Sequence, residues 1–69
     1  VKPISGPAFA KAVEARGWRL LRVNGSHHIY GKAGEAARLV IPMHGGRDLK
    51  LGLQRSLMKI AGLSDEDLA

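Results

Sequence analysis

The chain has no cysteine in its 69 residues, which excludes a disulfide framework and any thiolate zinc site and is compatible with a reducing compartment. No apolar run approaches the roughly 18 residues of a membrane span, and the N-terminus has no secretory-type apolar segment. The chain is therefore read as soluble and cytoplasmic, without a membrane partner. Aromatic residues number one Trp, one Tyr and one Phe. A chain of this length buries only about 60% of its unfolded surface, so residues 1–69 make a single domain with a small core.

Acids are also scarce, and unevenly placed. Of six acidic residues, Asp65, Glu66 and Asp67 stand within the last five positions, so that residues 1–64 carry eleven basic residues against three acids, or +8. Such an excess favours a polyanionic partner, nucleic acid first, because neutralising phosphates supplies affinity independent of sequence. An acidic protein surface would also satisfy it. The remaining acids, Glu14, Glu35 and Asp48, are scattered. There is no carboxylate cluster suited to magnesium and no helical histidine pair of the zinc-protease kind, so no metal and no cofactor are expected.

What is present reads as helix, three strands, helix. Ser5 can cap a helix over residues 6–16, with Pro7 in its first turn, Phe9, Ala12 and Val13 on one face and Gly17 as its stop. WRLLRV (18–23) is a first strand, and Asn24-Gly25 supplies a tight hairpin turn into a second, Ser26 to Tyr30. ARLVI (37–41) is a third strand, which Pro42 ends because it cannot donate to a ladder. After the loop MHGGRD (43–48), Leu53, Leu57, Ile60 and Ala61 mark one face of a second helix closed by Gly62. Ser64 and Asp67 form a cap for a last short turn. The parity of the first strand stays open: Trp18 and Leu20 suggest one core face, Leu21 and Val23 the other. The class is α+β, a three-stranded antiparallel meander with both helices on one face. This is the architecture of a double-stranded RNA-binding domain (dsRBD-like).

The stretch NGSHHIYG (24–31) places two histidines directly after the turn. Successive strand residues point to opposite faces, so His27 and His28 cannot chelate one ion together. A histidine on a basic surface suits proton transfer, since its ordinary pKa near 6.5 makes both protonation states accessible. RNA supplies a matching need: its 2′-hydroxyl attacks the adjacent phosphorus once deprotonated, and Lys or Arg stabilises charge on the phosphoryl oxygens. A surface or hydrogen-bonded structural histidine is the competing reading.

Taken together, Gly17-Trp18, Gly25-Ser26-His27, Tyr30, Val40-Ile41-Pro42, His44, the basic second helix and Ala61-Gly62-Leu63 resemble HicA-type toxins, the ribonucleases of HicA-HicB toxin-antitoxin systems. The resemblance covers residues 4–64, and GSHH followed by IY is its most specific part. It implies a dsRBD-like fold, an mRNA interferase activity that cleaves transcripts and arrests growth, His27 as the catalytic histidine, and a HicB-type antitoxin that binds the toxin and covers it. The loop MHGGRD is less basic than its counterpart in many relatives, which leaves open which cation assists.

Around His27, Ser26 is expected to hold the imidazole or contact RNA, and Tyr30 to stack on a base or orient phosphate, with half-buried packing as its alternative. Arg47, Lys50 and Arg55 are expected to clamp phosphates. His44 is a candidate second acid-base group, and Trp18 is assigned to the core rather than to stacking. Two other classes remain: a non-catalytic double-stranded RNA-binding module, and an interaction protein whose basic face docks an acidic partner.

Overall fold

The computed structural model describes residues 1–68. Ser5 starts the first helix, α1 (Gly6–Ala15): its Oγ accepts the N–H of Ala8 at 3.2 Å, and Pro7 occupies the first turn. A cap of this kind stabilises a helix by about 1 kcal/mol. Phe9, Ala10 and Val13 form the buried face of α1.

Three antiparallel strands follow in the order β1 (Arg19–Asn24), β2 (His27–Gly31) and β3 (Leu39–Pro42). The third was expected two residues earlier. The hairpin turn also lies one residue later than expected, at Gly25-Ser26, because Asn24 pairs with His27 and only Gly25 takes a positive φ, 61°. A glycine at the first central position suits a two-residue hairpin loop.

A bulge settles the parity of β1. Leu20 pairs with Tyr30 and Val23 with His28, the register shifting between Leu20 and Arg22. Leu20 and Val23 therefore share one face, with Leu21 as the extra residue. Tyr30 and His28 face Leu39 and Ile41 across the next ladder. Tyr30, Leu39 and Ile41 meet Phe9, Val13, Leu57 and Met58 in one buried cluster that also contains Trp18. Both helices thus cover this face over β2 and β3, β1 extends beyond them with Leu20 and Val23 exposed, the other face stays open, and Trp18 belongs to the core.

The second helix, α2 (Leu51–Ala61), ends at Gly62 in the left-handed conformation, φ 71°. Its buried face differs from the expected one. Gln54, Leu57 and Met58 are buried, whereas Leu53 and Ile60 are exposed. The reason is Gln54, which is fully buried: its amide oxygen accepts the N–H of Ile4 at 3.1 Å and its amide nitrogen donates to the carbonyl of Lys2 at 2.8 Å. A polar side chain with both ends satisfied can occupy a core position, and this one ties the N-terminal segment to α2.

Two further joins position the open face. A Cβ on Gly6 would overlap the carbonyl oxygen of Pro42, so α1 begins directly against the end of β3. In the last turn, a 3₁₀ turn over Asp65–Leu68, Asp67 accepts the Ser64 N–H at 2.7 Å and pairs with Arg16, which caps the C-terminus of α1. The Ser64 N–H above all, then its hydroxyl and Arg16, hold the Asp67 carboxyl below its ordinary pKa. No helix among the described residues is long and apolar enough to cross a membrane.

Candidate functional site

His27 is the first residue of β2, between Asn24 of β1 and Pro42 of β3. Side chains alternate along a strand, so His27, Ile29 and Gly31 lie on the open face, while His28 and Tyr30 turn toward the helices. Burial also rises along the strand: His27 is exposed, His28 and Ile29 are half-buried, and Tyr30 and Gly31 are buried, Gly31 under the side chains of Leu21 and Arg38.

The open face is cationic. Arg22 pairs with Ile29 and Arg19 with Gly31, which puts both arginines on the same side as His27. Diagonal neighbours across antiparallel strands lie about 7–8 Å apart, making Arg22 the near strand cation to the imidazole. The three strands contain no Asp or Glu. Arg22 was missed in the sequence because the bulge that sets its face leaves no pattern of alternation to read.

Beside His27 the chain turns into the loop after β3. The Ser26 carbonyl accepts the N–H of Met43 at 2.7 Å, fastening the hairpin turn to this loop. A cleft of about 310 Å³ begins at Pro42 and is lined by His44, Arg47, Asp48 and Lys50. The structure thus groups His44, Arg47 and Lys50 around a cleft adjoining the strand end that carries His27. Arg55 is exposed on α2 and does not line this cleft. The Ser26 hydroxyl forms no hydrogen bond to His27.

Tyr30 does not belong to this surface. Its ring is 2% exposed, and its hydroxyl donates to Glu14 Oε2 at 2.9 Å. Burial, reinforced by the hydrogen bond and charge of Glu14, pushes the Tyr30 pKa up to about 12. No ring face is open for a base, which corrects the expectation that Tyr30 contacts RNA. It joins β2 to α1 instead.

Among the described residues, no three of His, Cys, Asp and Glu come together as a metal-binding group. Chemically, the assembly offers an exposed imidazole, a field of cations without strand carboxylates, and a second imidazole across a short loop. Residues 6–63 match the family described as the HicA toxin of bacterial toxin-antitoxin. No curated protein matches the chain.

Proposed function

The chain belongs to the HicA toxin family, and from that premise we propose that it is an RNA-cleaving toxin, an mRNA interferase that uses His27 for metal-independent acid-base chemistry. The observation that supports this most is the position of His27, exposed on a sheet face whose strands carry arginines and no acid. RNA brought there by its phosphates presents a 2′-hydroxyl to the imidazole. His27 takes the 2′-hydroxyl proton as the oxygen attacks the adjacent phosphorus, or protonates the departing 5′-oxygen; a second group performs the complementary transfer, and His44 is the candidate. Arg22, Arg47 and Lys50 offset charge on the phosphoryl oxygens, Ser26 contacts the strand beside the turn, and Arg55 contributes to the outer phosphate field. The products are a 2′,3′-cyclic phosphate and a 5′-hydroxyl. A HicB-type antitoxin inhibits by covering His27.

The test is cleavage by the purified chain and by His27→Ala, alongside growth and transcript integrity on induced expression. Removing an acid-base group costs about 10²–10⁴ in rate, whereas an exposed substitution changes stability by less than about 0.5 kcal/mol. A folded His27→Ala that cuts as fast as the parent overturns the assignment and favours a non-catalytic RNA-binding module. Products ending in 5′-phosphate overturn the chemistry.

A further inference from the structure

A second feature of the open face lies at the opposite end of β2 from His27. A groove of about 530 Å³ is lined by Arg19, Lys32 and Arg38, with Leu21 on its wall and Gly17 and Gly31 among its lining residues. The cations rest on the glycines. A Cβ at Gly17 would meet Lys32 Cε at 3.5 Å, and one at Gly31 would meet Arg38 Cδ and Nε, each at 3.3 Å, and Leu21 Cδ1 at 2.7 Å. The absence of a side chain at Gly31 lets Arg38 lie close to the backbone, while the Lys32 stem rests at ordinary contact distance from Gly17. Arg38 is further held by donating from Nη1 to the Glu35 carbonyl at 3.2 Å. The Glu35 side chain is the one carboxylate of this connector, and it does not line the groove.

Gly31 is four positions along β2 from His27, about 13 Å at the rise of a strand, and both lie on the open face. We propose that this groove is a phosphate-binding subsite for the RNA strand, holding a backbone phosphate a few nucleotides from the bond at His27. It orients a single strand along β2 through Arg19, Lys32 and Arg38. The occupant is argued from charge complementarity, three cations facing the groove without an acid, and the inference rests on the ribonuclease reading above.

The probe is a fluorescent 2′-O-methyl oligoribonucleotide, which lacks the attacking hydroxyl and stays intact. Binding is measured by anisotropy over a salt series for the parent chain, for Arg19→Gln/Arg38→Gln, and for Lys11→Gln/Lys59→Gln, which removes equal charge from the exposed surfaces of the helices. Each lost single-strand phosphate contact lowers the slope of log K against log salt by about 0.7. The groove variant is expected to bind at least tenfold more weakly at low salt with a slope smaller by about 0.7, for the one phosphate lost, and the helix variant to change much less. Equal behaviour of the two variants overturns the subsite. Cleavage of unmodified RNA separates the two claims. A groove variant that cuts with unchanged kcat/KM removes the subsite and leaves the ribonuclease reading standing. A parent chain that binds through the groove but cuts nothing removes the ribonuclease reading and leaves the subsite.

Discussion

Tyr30 is buried in the core with its hydroxyl on Glu14, and its pKa is pushed up to about 12 by burial first and Glu14 second. A raised folded pKa means that the neutral phenol is favoured by folding. The resulting stabilisation is complete below the ordinary value of 10.0 and is lost as pH rises through about 12. Tyr30→Phe keeps the ring and loses the hydrogen bond to a charged acceptor, worth about 1.5–3 kcal/mol. Because Glu14 is exposed and regains water, the expected loss in urea unfolding at pH 7 is about 1–2 kcal/mol. Parent and variant should converge as pH rises from 10 toward 12. A gap that persists at pH 12 would show that the hydroxyl acts otherwise.

At the scale of elements, the join between α1 and β3 fixes where His27 sits, because Pro42 is both its ladder partner and the neighbour of Gly6. A methyl on Gly6 must displace backbone, which cannot retreat as a side-chain end would. Gly6→Ala is therefore expected to destabilise by about 1–3 kcal/mol, the range of overpacked cores, despite the better helix propensity of alanine. Thermal unfolding decides it, and a Tm equal to or above the parent's would show that the helix start can move. Element order, the Ser5 cap, the Pro42 strand end, Gly62 and the Ser64–Asp67 cap were legible because each rests on local backbone chemistry. Three features were not. The bulge at Leu21 reverses strand parity and depends on pairing with β2; the α2 face turns on Gln54 meeting residues 2 and 4, fifty positions away in sequence; and Tyr30 could be assigned to the core only once Glu14 was seen beside it. The site was legible in the same measure. Gly-Ser-His pointed to the candidate imidazole, whereas Arg19 and Arg22 join its face only through cross-strand register and Arg38 through its approach to Gly31.

For the whole molecule, charge arrangement separates a long-range field from direct contacts. The formal charge is +5, and the acids at the end of the chain oppose an otherwise basic surface. Asp67 is held by Ser64 and Arg16, while Asp65 and Glu66 are exposed. Asp65→Asn/Glu66→Gln removes two negative charges, raising the formal +5 to +7, and leaves the Asp67 anchor in place. If these acids only weaken the field, the variant should associate with the 2′-O-methyl oligomer several-fold faster at low ionic strength, since steering acts over the Debye length. The gain should vanish as that length shrinks from about 10 Å at 0.1 M salt to about 3 Å at 1 M. The slope of log K against log salt should stay nearly unchanged, in contrast to the loss of one phosphate contact, about 0.7, expected for the groove arginines. Stopped-flow anisotropy reads the rate and the titration reads the slope. A slope change as large as that of the groove variant would instead make the acidic turn part of the binding surface, with Asp65 and Glu66 opposing phosphates directly.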